Sequence, residues 1–167
     1  WQDVPAFYAD LMSRNAMAAN ALRFTCLTGS RTTEVLKMRW EELDLDAGVW
    51  TCPEERMKGN EEHRVPLTAQ MLEIIEPLKG LKSDFVFEGQ KRNHPLSNMA
   101  MLMLLRRMGV EGVTVHGFRS TFRDWVSETG NGQWEVAERS LSHKVGSKVE
   151  RAYARSDLLE KRRALMA

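Results

Sequence analysis

Hydrophobic positions recur at helical spacing near the start and through the second half of this chain, and at strand-like spacing in the middle. Asp3-Val4-Pro5 reads as a helix start, with Pro at an early helical position. Ala19, Leu22, Arg23 and Cys26 share one face of a helix over 16–27, which Thr28-Gly29-Ser30 ends. Ser30 is then placed to cap a short helix over 32–38. The period changes in Val49-Trp50-Thr51-Cys52 and His63-Arg64-Val65-Pro66-Leu67. These flank Lys58-Gly59-Asn60, a tip chemistry suited to positive φ, and so predict a β-hairpin. Asp44-Leu45-Asp46 offers a short third strand. Thr68 opens a helix ending near Pro77, and Phe85-Val86-Phe87 reads as a short strand or buried loop.

The remainder is helical. Ser97 caps a helix carrying Leu102, Leu105 and Met108 and ended by Gly109; others are predicted over about 116–128 and 133–141. Ser147 with Glu150 fits a capping box, so a helix is expected to carry Tyr153 about two turns in. Ser156 opens a last helix through Met166. The ten Met fall mostly at apolar helical positions and are read as core filler. The expected fold is mainly α with a small antiparallel sheet of two or three strands.

Composition narrows this picture. At 167 residues, 43% hydrophobic and 28% charged, the chain suits one folded domain with a sizeable core. No apolar run reaches the length of a membrane span, and no signal peptide is visible. Cys26 and Cys52 form no CxxC pair, and with His63, His94, His116 and His143 they supply no zinc pattern, so ordinary reduced thiols and no metal are expected. Net charge is +1, but residues 1–90 carry −5 and residues 91–167 carry +6. A basic half suggests a face for a polyanion such as DNA; a solvated surface of mixed charge fits the same count.

Five features carry candidate chemistry: Thr28-Gly29-Ser30-Arg31-Thr32-Thr33-Glu34; Lys58; His116-Gly117-Phe118-Arg119; Leu141-Ser142-His143; and Tyr153. Taken singly, each has an ordinary alternative. Arg31 could simply pair with Glu34 three residues on, and Lys58 could be a solvated hairpin charge. His116 and Arg119 could be a solvated helical pair, His143 a helix cap, and Tyr153 a half-buried helix residue.

In this order and spacing they resemble the Arg, Lys, His-x-x-Arg, His, Tyr signature of the tyrosine recombinases. Arg56-Met57-Lys58 with Glu62-His63-Arg64-Val65-Pro66-Leu67 resembles the hairpin of prophage and genomic-island integrases. Val115 to Arg123 resembles their signature helix. Ala152-Tyr153-Ala154-Arg155-Ser156-Asp157, then Lys161-Arg162-Arg163, resembles their nucleophile segment.

The resemblance implies one catalytic domain over 1–167, with the fold of the DNA breaking-rejoining enzymes and with the family's further DNA-binding domains outside this chain. It implies site-specific strand transfer on double-stranded DNA for integration or excision of a mobile element. Tyr153 would be the nucleophile, forming a 3′-phosphotyrosyl link. Arg31, Arg119 and His143 would bind phosphate, His116 would assist, and Lys58 would protonate the leaving oxygen. Glu34 would orient Arg31.

The chemistry suits these residue types. Arginine stays charged and grips phosphate through a planar fork. A phenol near pKa ~10 needs cationic neighbours to act as a nucleophile. An ammonium can surrender a proton where a guanidinium cannot. No cofactor is implied, because the protein link stores the bond energy, and no carboxylate pair of the Mg²⁺-nuclease kind is seen. The resemblance further implies a DNA-bound tetramer in the full-length protein, a monomer for the isolated domain, weak and salt-sensitive DNA binding by these residues alone, and a bacterial cytoplasmic setting. Two alternatives remain at this point: type IB topoisomerase-like relaxation, and a non-catalytic DNA-binding remnant.

Overall fold

The computed structural model describes residues 1–147 and 156–167. The expected helix carrying Tyr153, with the Glu150 half of its capping box, lies outside them.

The N-terminal half builds the scaffold. Helix α1 (Val4–Met12) starts after Asp3 with Pro5 in its first turn, as the sequence indicates. Helix α2 (Met17–Thr28) is the centre of the domain and packs against α1, α3 (Thr32–Leu36), α4 (Ala69–Ile75), α5 (Ala100–Arg107) and α6 (Gly117–Thr129). Its Thr25 and Thr28 are buried without penalty because each hydroxyl donates to the carbonyl four residues back, at 2.8 Å. Phe24 projects from α2 into an aromatic cluster, with ring centroids 5.9 Å from Trp50 and 5.6 Å from Phe87.

Three short strands, β1 (Leu43–Asp44), β2 (Val49–Cys52) and β3 (His63–Pro66), form an antiparallel sheet in sequence order. The register sets Trp50 opposite Leu43 and Val65, and Cys52 opposite His63. Val49, Trp50, Cys52 and Val65 are buried. Phe85-Val86-Phe87 is the buried-loop alternative: Phe85 makes an isolated bridge to Arg39, and the Val86 N–H donates to the Met38 carbonyl at 3.0 Å.

Several boundaries differ from expectation, each for a local reason. Ser30 does not cap α3. The cap position falls on Arg31, whose backbone N–H donates to the Glu34 carboxylate at 2.9 Å, while the buried Ser30 hydroxyl has no hydrogen-bond partner among the described residues. Helix α4, by contrast, ends at Ile75, near Pro77 as expected, and Pro77 sits inside a 3₁₀ turn over Glu76–Gly80 that follows it. Ser97 acts one turn early, its hydroxyl accepting the Met99 N–H at 3.2 Å before α5 begins. The methionines divide: Met38, Met57, Met71, Met101 and Met166 are core, whereas Met12, Met99 and Met103 are exposed.

Helix α7 (Trp134–Ser140) packs on α6 and on the last described helix, α8 (Leu159–Met166). Two arginines fasten α8 to the sheet. Arg162, 1% exposed, donates to the Arg64 carbonyl at 2.6 Å and to Asp157 at 3.0 Å. Arg163 donates to the carbonyls of Gly48 at 2.8 Å and Leu67 at 3.1 Å. The segment from Asp157 through α8 is thereby tied to the hairpin that carries Lys58. Among the described residues no helix is long and apolar enough to cross a membrane, and no group of three or more His, Cys, Asp or Glu is placed to hold a metal ion.

Candidate active site

Gly29 begins the site. It ends α2 in the left-handed region at φ +60°, its N–H donating to the Thr25 carbonyl at 3.0 Å. This αL turn swings the chain so that the next helix starts at Arg31. A Cβ at Gly29 would also lie 2.8 Å from Leu141 Cδ2. Both effects oppose a side chain, so Gly29→Ala is expected to cost about 2 kcal/mol or more in a urea titration.

Arg31 and Glu34 are held together at both ends. The Glu34 carboxylate, 2% exposed, accepts the Arg31 backbone N–H through one oxygen and the Arg31 guanidinium, at 2.7 Å, through the other. The half-buried Arg31 side chain is therefore fixed in direction while part of its guanidinium stays accessible. Arg56, at the base of the hairpin, reaches across to the Glu34 carbonyl at 3.4 Å and pairs with Glu42.

Arg119 comes from the first turn of α6, yet it meets the same place. It is 4% exposed, and its guanidinium donates to the Gly29 carbonyl, to the Leu141 carbonyl at 2.6 Å, and toward His143 Nε2 at 3.1 Å. Burial, with the charge of Arg31 adding to it, pulls its pKa down to about 10; Glu34 and Glu138 oppose the shift. The group remains a cation at neutral pH. Two cations 88 positions apart in sequence thus lie at the Gly29 turn, near enough for the charge of Arg31 to act on Arg119.

His143 completes this group through the end of α7. Ser142 takes φ +54°, the Ser142 N–H donates to the Arg139 carbonyl, and the His143 N–H closes back on the Glu138 carbonyl at 2.9 Å. That is a Schellman turn, with Ser where Gly is usual. It brings residues 138 and 143 side by side, and Glu138 Oε2 lies 2.8 Å from His143 Nδ1. The other Glu138 oxygen is 3.0 Å from Arg123 Nε. His143 opens on a cleft of about 600 Å³ whose described lining includes Gly59, His63, Arg64, Lys144, Ser156 and Arg162.

The other expected residues sit at the edges. Lys58 is exposed in the turn between β2 and β3, where Asn60 takes the positive φ, +50°, and Gly59 does not. Gly59 lies against Lys144: a Cβ there would be 3.6 Å from Lys144 Cε. The hairpin tip therefore reaches the segment immediately after His143. His116 is exposed at the cap of α6, one position before the helix proper, whereas Arg119 is buried. Helical spacing alone, which put the two on a shared face, missed this difference in depth. Tyr153 lies outside the described residues, between Ser147 and Ser156, and Ser156 lines the cleft.

Sequence reasoning missed two residues here. Glu138 had a legible signal, since a Schellman turn pairs positions five apart, but Ser142 concealed the turn. His63, read only as part of the hairpin, lines the cleft and is half-buried. Burial, then the charges of Arg162, Arg31 and Arg119, push its pKa down to about 4, against a hydrogen bond to the Ser140 backbone. A depressed histidine pKa means that the unfolded chain binds the proton more readily. Stability is therefore complete above about pH 6.5 and is lost as pH falls toward 4. His63→Gln is expected to flatten the decline in urea midpoint between pH 7 and pH 5.

Comparison with known proteins agrees with this architecture. The model of the phage integrase family matches residues 2–160. Prophage integrase IntA of Escherichia coli (strain K12) is 40% identical over 144 residues, 84% of this chain and 35% of its own length. Prophage integrase IntZ of the same strain is 34% identical over 168 residues, 98% of this chain and 42% of its own. The chain thus spans about two fifths of the length of these relatives. In fold it is similar to a lambda integrase (75-356) dimer bound to a COC' core site, with TM-score 0.63 and 19% identity over 93% of this chain and 58% of that one. It is equally similar to the XerH site-specific recombinase in a post-cleavage complex with palindromic difH substrate, at TM-score 0.63 and 20% identity over 95% of this chain and 49% of that one.

Proposed function

This chain belongs to the phage integrase family of tyrosine recombinases, and from that premise we propose that it breaks and rejoins DNA strands through a covalent bond to Tyr153. The observation that carries the reading is the convergence of Arg31, Arg119 and His143 from three separate segments at the Gly29 and Leu141 turns. Glu34 and Glu138 offset part of this positive charge, and the accessible part of the Arg31 guanidinium leaves room for a further anion. A phosphodiester supplies that anion.

In the proposed reaction Tyr153 gives up its phenolic proton to solvent, its oxygen attacks the scissile phosphorus, and the bond to the 5′ oxygen breaks. Lys58 gives that oxygen a proton, leaving a 3′-phosphotyrosyl link and a free 5′-hydroxyl. A 5′-hydroxyl from another strand reverses the step. Arg31 and Arg119 stabilise the charge that gathers on the non-bridging oxygens. His143 contributes a third contact, and His116 assists. The substrate is double-stranded DNA in the bacterial cytoplasm, and exchange between two sites calls for several copies acting together, four in the full-length protein.

A DNA substrate nicked beside the cut site tests this. Loss of the short released fragment traps the enzyme, and mass spectrometry of the digested adduct is expected to place DNA on Tyr153. Absence of any adduct would leave the non-catalytic alternative standing.

Lys58 has its own test. Lys58→Ala is expected to slow cleavage about 10²- to 10³-fold on ordinary DNA. A substrate with sulfur in place of the bridging 5′ oxygen, whose thiolate leaves without a proton, should restore most of that loss. A variant equally slow on both substrates would assign Lys58 another role.

A further inference from the structure

Glu138 is a buried carboxylate to which the proposed reaction gives no task. It is 7% exposed, it sits behind His143 and not in front of it, and its Oε2 is 2.8 Å from Nδ1. On the other side of the ring, Nε2 is 3.1 Å from Arg119 Nη2. A guanidinium only donates hydrogen bonds, so Nε2 must accept from Arg119. The neutral ring then carries its proton on Nδ1 and donates it to Glu138. The opposite tautomer would aim a lone pair at a carboxylate and an N–H at a guanidinium, two repulsive contacts in place of two attractive ones.

The backbone favours this pairing. The turn at Ser142 bonds the His143 N–H to the Glu138 carbonyl, so the two residues are neighbours through main chain and side chain alike. Arg123, on α6, forms an ion pair with the second Glu138 oxygen at 3.0 Å, although that oxygen accepts no well-aligned hydrogen bond among the described residues. A chain of contacts runs Arg123, Glu138, His143, Arg119, and its far end is the guanidinium seated on Gly29.

We infer that Glu138 is a positioning residue: it locks His143 in the tautomer with the proton on Nδ1 and so turns Nε2 toward Arg119, the proposed phosphate clamp, fixing that guanidinium and the ring beside the reacting phosphate. This rests on the recombinase reading above. Carboxylate–histidine pairs act in this way where a ring must be held in one orientation and one tautomer.

The ring nitrogens of ¹⁵N-histidine-labelled chain report the tautomer directly, with His143→Gln identifying the relevant signals. The wild type is expected to show a protonated Nδ1 and an unprotonated Nε2 near pH 8. Glu138→Leu should move the proton to Nε2 or mix the two forms. The same change should slow adduct formation on nicked DNA by about 10- to 100-fold, with DNA affinity within about twofold of wild type. Glu138→Gln, whose amide oxygen can still accept from Nδ1, should retain the tautomer and recover most of the rate. It also keeps the test open if the leucine variant does not fold.

A wild-type ring protonated on Nε2, a leucine variant cleaving at the wild-type rate, or a glutamine variant that keeps the tautomer but loses 100-fold would each overturn the inference. Failure of the recombinase reading looks different. The wild type would then form no adduct at all, while the ring spectrum, read without DNA, would still decide where the proton sits.

Discussion

Tyr153→Phe is expected to abolish the covalent protein–DNA adduct while leaving DNA affinity within about twofold of the wild type. The substitution removes one oxygen, the atom proposed to form the bond to phosphorus, and keeps the ring. Loss of a nucleophile that acts in a cooperating group lowers turnover by at least about 10³-fold, which for a trapped adduct means none above background. Tyr8 is the only other tyrosine and cannot take over. It lies on α1, and burial raises its pKa above the usual 10.0, so its phenolate is harder to form; Arg23, to which its side chain is hydrogen-bonded, opposes that shift. Affinity should persist because the proposed phosphate contacts come from Arg31, Arg119 and His143. An adduct that survives Tyr153→Phe, read on a denaturing gel, would move the nucleophile elsewhere.

Arg119→Lys should produce the second large effect, in two separate measurements. The guanidinium spans the Gly29 and Leu141 carbonyls and His143 Nε2 at once. A lysine ammonium keeps the charge but not the planar fork, so it cannot reach all three in that geometry. Each buried carbonyl left without a donor costs about 1–3 kcal/mol, so the thermal midpoint should fall. Cleavage of nicked DNA should fall further than stability explains, by about 10²- to 10³-fold, the usual cost of removing one preorganised donor from developing charge. The rate is measured well below the variant's own melting temperature, which keeps the two effects apart. Cleavage within about threefold of wild type would show that Arg119 is an architectural arginine holding two turns together.

The architectural alternative follows from how Arg119 is held. Most of its donors already serve the protein, whereas among the described residues Arg31 has only Glu34 as a side-chain partner. The two proposed clamps are thus built differently. Arg119 is rigid and largely satisfied by backbone, and Arg31 is the more adaptable. A substitution at Arg31 should therefore affect phosphate binding more than folding, the reverse of the balance at Arg119.

Much of the fold was legible in the amino-acid order. Asp3-Val4-Pro5, the Gly29 stop and the Trp50-Cys52 alternation each act within a few residues, and the structure has α1, the end of α2 and β2 where those signals put them. Errors arose where a local signal had a competitor. Ser30 is a good cap by composition, but Glu34 takes the exposed N–H of Arg31 first, and Ser30 is buried instead. Helical spacing put His116 beside Arg119, but it carries no information on where a helix begins or which of two residues faces the core.

The order of residues alone determined which groups are available: a set of arginines, histidines, a hairpin lysine and a tyrosine whose spacing matches one family, on a chain patterned for helices around a small sheet. It could not determine their company. That Arg119 rests on the Gly29 carbonyl, that Glu138 backs His143, and that Arg162 ties α8 to β3 depends on contacts between segments 5 to 98 positions apart. Local propensity acts over a turn of helix or a pair of strand positions. Burial and charge act through space, so only the packed chain settles which cation meets which carbonyl.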